Sequence, residues 1–246
     1  MKNLYFIIIF IIGILNAIQA QNSGTFTDER DSTEYKWVKI GEQIWMAENL
    51  AYLPKVSPPS DGSNTEPYYY VYGYKGSSVR EAKETDNYTT YGVLNYTTCG
   101  VLYNWPAALE ACPDGWHLPT DEEWKQLEMY IGMSQSEADQ AGNRGTDEGT
   151  KLKATSGWNN NSNGTDDYGF SALPGGYRYY GFSALPGGYR YDGGYFLTIG
   201  YTSYWWTATE LGSNEARRRH LYYNGTDIYR YYSYKKAGFS VRCVRD

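Results

Sequence analysis

Few residues in this chain have both the type and the spacing for chemistry. Two histidines, His117 and His220, and three cysteines, Cys99, Cys112 and Cys243, are its whole stock for imidazole or thiol catalysis. Nothing in the sequence sets either histidine beside Cys99, so a thiolate–base pair has no signature here and Cys99 reads as inert. Asn159, Asn161 and Asn163, followed by Gly164, put oxygen donors at alternating positions as a calcium loop does. The twelfth position is Phe170, where an EF-hand needs a bidentate Glu, so the EF-hand pattern fails. Asp166 and Asp167 are left as carboxylates for a weak calcium site, with a plain Asn/Gly surface turn as the competing reading. In Arg217-Arg218-Arg219-His220-Leu221, strand alternation sets Arg217, Arg219 and Leu221 on one side and Arg218 and His220 on the other. That run suits an anionic ligand, or a solvated face paired with local carboxylates. The commonest chemistry is aromatic. The chain holds 28 Tyr against 7 Phe, and Tyr pairs an apolar ring with a polar tip that suits half-wet contact surfaces. Tyr177, Tyr189, Tyr191, Tyr222, Tyr229 and Tyr231 are the candidate ligand-binding rings.

These residues need elements to hold them. Thr120 and Glu123 form a capping box at the start of a helix over Asp121–Ile131, with Trp124, Leu127 and Ile131 on one apolar face. Leu102–Ala111 reads as a short helix entered by Asn104 as its cap, and a second short helix is expected over Gln135–Ala141. Asn143–Gly149 reads as a turn-rich loop, and Tyr52–Ser63, with three prolines, as a surface loop. Tyr35–Met46 reads as a hairpin turning at Gly41-Glu42 in a type II′ turn. Tyr68–Tyr74 reads as an edge strand or a stacking surface. Trp205-Trp206 marks a central strand, Asn224-Gly225 a hairpin turn, and Phe239–Val244 the strand that closes the sheet. Tyr168–Tyr179 is repeated letter for letter as Tyr180–Tyr191, a tandem duplication of twelve residues. One copy is expected to fill the native slot and the other to bulge out as a tyrosine-bearing loop.

Lys2, the apolar run Leu4–Leu15 and Ala20 read as a signal peptide over residues 1–20, with an uncleaved anchor helix as the alternative. The run is short for a membrane span, which needs about 20 residues. No cysteine near the cleavage point offers a lipid anchor. Residues 21–34 are polar and read as a flexible leader, and residues 35–246 as one domain. A net charge of −6 argues against a nucleic-acid partner, which calls for a basic footprint. In an exported chain three cysteines suggest one disulfide and one remainder. Cys112 precedes the main helix and Cys243 lies in the expected last strand, and this pair is the predicted disulfide.

Gly-Trp-His-Leu-Pro-Thr-Asp-Glu-Glu-Trp, residues 115–124, resembles the signature of the Fibrobacter succinogenes major paralogous domain, a family of secreted and surface bacterial proteins. Trp45–Leu50, Leu102–Trp105, Gly169–Gly176, Trp205–Glu210 and Gly238–Asp246 agree with it in order. The resemblance implies an α+β, C-type-lectin-like fold: short helices packed on a small, mostly antiparallel twisted sheet with long loops. One copy of the duplicated segment is normal in that family. The resemblance implies no activity. The Leu118–Trp124 run and the Phe239–Cys243 ending also resemble the formylglycine-generating enzymes, which use a cysteine pair upstream of the terminal motif. No cysteine lies between Cys112 and Cys243, so that nucleophile is missing. No carboxylate pair stands out for hydrolysis, and no Glu-Pro-Asn or Gln-Pro-Asp triplet of calcium-dependent lectins is present. Tyr222, Tyr223, Asn224, Asp227, Tyr229, Tyr231, Tyr232 and Tyr234 have the composition that retroelements diversify in some proteins of this fold, against the plainer reading of a Tyr-rich family. The expected function is a non-catalytic binding module, periplasmic, secreted or surface-displayed, for carbohydrate or a cell-surface protein. No cofactor beyond that weak calcium site is expected.

Overall fold

A computed structural model describes residues 22–85, 87–89, 92–94, 96, 100–173, 189–198 and 200–246. The chain runs through β1 (Ser23–Asp28), β2 (Thr33–Ile40), β3 (Gln43–Met46), β4 (Tyr69–Tyr70), α1 (Val79–Glu84), β5 (Asn87–Thr89), β6 (Gly92–Leu94) and β7 (Leu102–Tyr103). Next come α2 (Trp105–Ala111), β8 (Trp116–His117), α3 (Asp121–Tyr130), α4 (Gln135–Ala138), β9 (Gly142–Arg144) and α5 (Glu148–Leu152). The last part holds β10 (Tyr189–Arg190), β11 (Phe196–Leu197), β12 (Thr202–Gly212), β13 (Glu215–Tyr222), β14 (Ile228–Tyr234) and β15 (Val244–Arg245). The result is a mixed α/β structure of mostly antiparallel sheets with a few short helices.

Two sheets carry the fold. One has the order β1-β2-β3-β15-β8, so the last strand sits between β3 and β8. The other has the order β12-β13-β14-β9. A parallel bridge between Trp205 and Ser240 ties them, with Trp206 N–H donating to Ser240 O at 3.3 Å. Successive strand residues point to opposite faces. Met46 and Trp206 therefore enter one core, with Tyr103 and Phe239, while Trp45 and Trp205 enter a second, with Trp124 and Phe170. This is why tandem aromatics occur where a half-wet strand would alternate with polar residues.

Helix α3 starts as expected, with both arms of its capping box formed. Trp124 meets Trp45 at 4.9 Å and Phe170 at 5.8 Å between ring centroids. Cys112, the C-cap of α2, is bonded to Cys243 across 131 positions, as predicted, which stabilises by about 5 kcal/mol on the chain-entropy account. The hairpin turns at Gly41-Glu42, with Ile40 opposite Gln43. Of those two only Gly41 has a positive φ, +63°, as a type II′ turn needs.

Several expectations are corrected. Residues 23–28, read as flexible leader, form strand β1, because Phe26 stacks on Trp116 at 4.5 Å and Asp28 is buried in an ion pair with Arg30. The Tyr68–Tyr74 run yields only a two-residue strand paired with β7, and Tyr69, Tyr70 and Val71 are buried core residues. The Asn143–Gly149 loop contributes β9 and the start of α5, since Arg144 is drawn inward to Glu128. The Asn224-Gly225 hairpin turn stands as expected, within the five-residue connection between β13 and β14. Tyr223 N–H donates to Tyr201 O, and the Thr226 hydroxyl to Thr146 O. Arg219 is not on a solvated face but buried.

The duplicated segment fills its place from both copies. Phe170, Ala172 and Leu173 of the first are buried, and so is Arg190 of the second. Neither copy is described whole, since residues 174–188 lie outside the described residues, and the expectation that one copy bulges out falls partly outside them. Among the described residues no helix is long and apolar enough to cross a membrane.

Candidate functional site

Strand β10 explains how the aromatic cleft begins. Arg190 points into the body and donates to Pro59 O at 2.7 Å, Asp61 O at 2.9 Å and Lys236 O at 2.6 Å. Its guanidinium lies 4.5 Å from the Tyr70 ring centre. Its backbone exchanges both hydrogen bonds with Gly238, where a Cβ would stand 3.0 Å from Arg190 Cβ, so a glycine permits the approach. With Arg190 turned in, Tyr189 and Tyr191 face the other way. They line a cleft of about 350 Å³ with Asp192, Tyr204, Glu215, Arg218, Tyr232, Ser233, Tyr234 and Phe239.

The floor is stacked. Tyr204 lies parallel to Phe239 at 5.1 Å and to His220 at 5.1 Å, and Tyr189 meets Tyr204 at 4.7 Å. The rim is open: Tyr191 and Tyr234 are 49% and 51% exposed. Asp192 pairs with Lys236 at 3.6 Å. Arg218 comes from β13, where it opposes Tyr231 on β14. Its guanidinium sits 4.8 Å from the Tyr204 ring centre and 5.6 Å from that of Tyr231. Arg218 Nε donates to Ser233 Oγ at 2.7 Å, and Nη1 meets His220 Nδ1. Burial lowers the Arg218 pKa, with the neighbouring Tyr204 opposing. Burial, then the Arg218 charge, pushes His220 well below its usual value, so it is neutral and its Nδ1 accepts.

The opposite face of the same sheet is a closed ion network. Arg219 and Arg230 stand directly opposite each other on β13 and β14, a repulsive pairing in isolation. Asp121 accepts from both at 2.6 Å, and Glu128 from Arg219 at 2.6 Å and Arg144 at 2.7 Å. Burial alone would raise the Asp121 pKa, yet Arg230 and Arg219 hold it well below the usual carboxylate range. These charges satisfy one another and offer nothing to a ligand. In the first turn of α3, beside the capping box, His117 bridges Glu123 at 2.7 Å and Asp246 at 2.6 Å.

Of the rings picked from the sequence, Tyr189 and Tyr191 line the cleft. Tyr231 stacks at 4.8 Å on Tyr232, which lines it. Tyr222 and Tyr229 are not among its lining residues. They pack around His220 at 5.0 and 4.4 Å. Tyr177 lies outside the described residues. Asp166 accepts from the amide and hydroxyl of Ser171, both at 2.6 Å, and Asp167 N–H is bonded to Lys151 O. Among the described residues no three His, Cys, Asp or Glu side chains stand together as a metal site. Cys99 lies outside the described residues. Sequence reasoning missed Tyr204, Asp192 and Glu215, and had Tyr232 and Tyr234 only as positions of a diversified surface. The alternation of β13 did place Arg218 beside His220 on one face, but the cross-strand register that puts Tyr204 beneath them has no local signal.

The chain matches the Fibrobacter succinogenes major domain over residues 38–245, and it belongs to that family. No curated protein and no solved structure matches it.

Proposed function

We propose that this chain is a non-catalytic glycan-binding module, exported to the periplasm, the cell surface or the medium. The observation that carries the reading is the cleft in which Tyr189, Tyr191, Tyr204, Tyr232 and Tyr234 surround polar and charged groups. Its volume is at the lower end of small-ligand pockets, which hold about 300–1,000 Å³. A sugar ring has apolar C–H faces and hydroxyl edges. Tyrosine ring faces suit the first, while phenolic hydroxyls, Asp192, Glu215 and Arg218 suit the second. The placement of β15 beside β3, which brings the two ends of the domain into one sheet, supports a C-type-lectin-like assignment. Export agrees with a signal peptide at residues 1–20 and with the Cys112–Cys243 disulfide. The non-catalytic reading rests on the missing cysteine pair. The reading does not invoke calcium: each Asp166 oxygen accepts a hydrogen bond from Ser171.

The test is binding of the protein from Gln21 onward to a glycan panel, in calcium and in chelator. Chelator-insensitive binding that drops about five- to thirtyfold in Tyr189→Ala is expected, from stacking worth about 1–2 kcal/mol. Absence of binding to every glycan in both conditions sinks the reading. A second reading, adhesion to a cell-surface protein through a diversified C-terminal surface, is favoured by the exposure of Tyr231, Tyr232 and Tyr234 on β14.

A further inference from the structure

Arginines that reach inside this protein are matched in different ways. Arg144, Arg219 and Arg230 meet carboxylates. Arg190 gives its guanidinium to three backbone carbonyls. Arg242 donates to Asn49 Oδ1 and to the carbonyls of Phe170 and Ser171. Each of these is closed off within the fold. Arg218 differs on both counts. It opens on the tyrosine cleft, and its partners are a hydroxyl and a neutral imidazole. Among the described residues it forms no ion pair, and its Nη2 carries no hydrogen bond to the protein.

The geometry points to a carboxylated sugar, a uronic-acid residue of an acidic polysaccharide, as the ligand of this cleft, with Arg218 as its specificity-determining residue. This rests on the glycan-binding reading above. The guanidinium is a planar fork that takes two carboxylate oxygens at once, and its weak hydration lets it sit between rings. Tyr204, Tyr231 and Phe239 hold that plane at 4.8, 5.6 and 5.7 Å from its central carbon. Ser233 fixes Nε and His220 fixes Nη1. His220 orients the fork without adding a second positive charge that would itself attract the anion elsewhere. Of the two carboxylates in the cleft, Asp192 already has Lys236 as its partner. Glu215 is left to accept from sugar hydroxyls. The cleft therefore offers a cation for one edge of the ring, acceptors for another and aromatic faces between, the complement of a uronate.

The test is titration of the full chain with short oligomers of galacturonate, mannuronate and glucuronate, each beside its methyl ester. The ester keeps the ring and hydroxyls and removes only the charge. At least one acid should bind about tenfold or more tighter than its ester, the range expected for hydrogen bonds to an ionised partner. Arg218→Gln should erase that preference, because the acid loses about tenfold more affinity than its ester. Arg218→Lys, which keeps the charge and loses the fork, should fall between. Equal affinity for acid and ester in all three wild-type pairs overturns the inference and leaves glycan binding standing. A preference that survives Arg218→Gln also overturns it. Failure of every oligomer, charged or not, overturns the inference and leaves the wider glycan reading to the panel. The wild-type comparison needs no variant, so it decides even if Arg218→Gln does not fold.

Discussion

Deleting residues 174–185 removes one copy of the duplicated twelve residues and leaves the sequence at every described position unchanged. Leu173 is then joined to Tyr189 by Pro186-Gly187-Gly188, a connection of three residues in place of fifteen. Both ends are fixed: Leu173 is buried, and Arg190 is held by three carbonyls. If residues 174–188 only connect them, closing the shorter loop saves (3/2)RT ln 5, about 1.4 kcal/mol. For a chain of this size that raises Tm by about 3–6 °C. Urea unfolding followed by tryptophan fluorescence, with the thermal transition beside it, measures the gain. A loss of more than about 1 kcal/mol on deletion would refute the reasoning, because the removed residues would then carry native contacts. A companion substitution tests the identity of the copies. Arg190→Ala empties a buried site and strips three carbonyls of their donors, and should cost about 2–4 kcal/mol in the single-copy chain. In the full chain Tyr177-Arg178-Tyr179 supplies the same three letters, so a shift by one repeat can replace Arg190 and the cost should be smaller. Equal costs in the two backgrounds would mean that register is fixed from outside the repeat.

Asp121→Asn leaves Arg219 and Arg230 facing each other without their shared anion and should cost about 3–5 kcal/mol in urea unfolding, while Asp121 itself titrates far below neutrality. Cys112→Ser, or reduction, should cost about 5 kcal/mol by the same assay, and a loss below about 2 kcal/mol would contradict the chain-entropy account. Burial alone would lower the His117 pKa, but Asp246 and Glu123 raise it above its ordinary 6.5. The pair's stabilisation is therefore complete below about pH 6.5 and lost as pH rises through the raised value. The Tm gap between wild type and His117→Gln should be wide at pH 5.5 and close by pH 9. Calcium should not shift the wild-type Tm, and a rise on calcium addition would return attention to the Asn159–Asp167 loop.

Signals that act over a few residues were legible. The Thr120–Glu123 capping box, the Asn104 cap and the Gly41-Glu42 turn each depend on atoms two or three positions apart, and all three are present. Local signals also misled where distant partners outweighed them. The polar letters of Ser23–Asp28 hide a strand because Phe26 has Trp116 to stack on. Charge was the least legible property. Arg217-Arg218-Arg219 reads as one basic run, yet alternation sends Arg219 to buried carboxylates and Arg218 to an open cleft.

The sequence by itself determined the family, the main helix, the paired tryptophans of a core strand and the disulfide, because these are written in short motifs or in the scarcity of cysteine. Only the tertiary structure decided which tyrosines share a cleft. Tyr189, Tyr204 and Tyr234 come from three strands far apart in sequence, and no local pattern encodes the cross-strand register or the buried Arg190 anchor that bring their rings together.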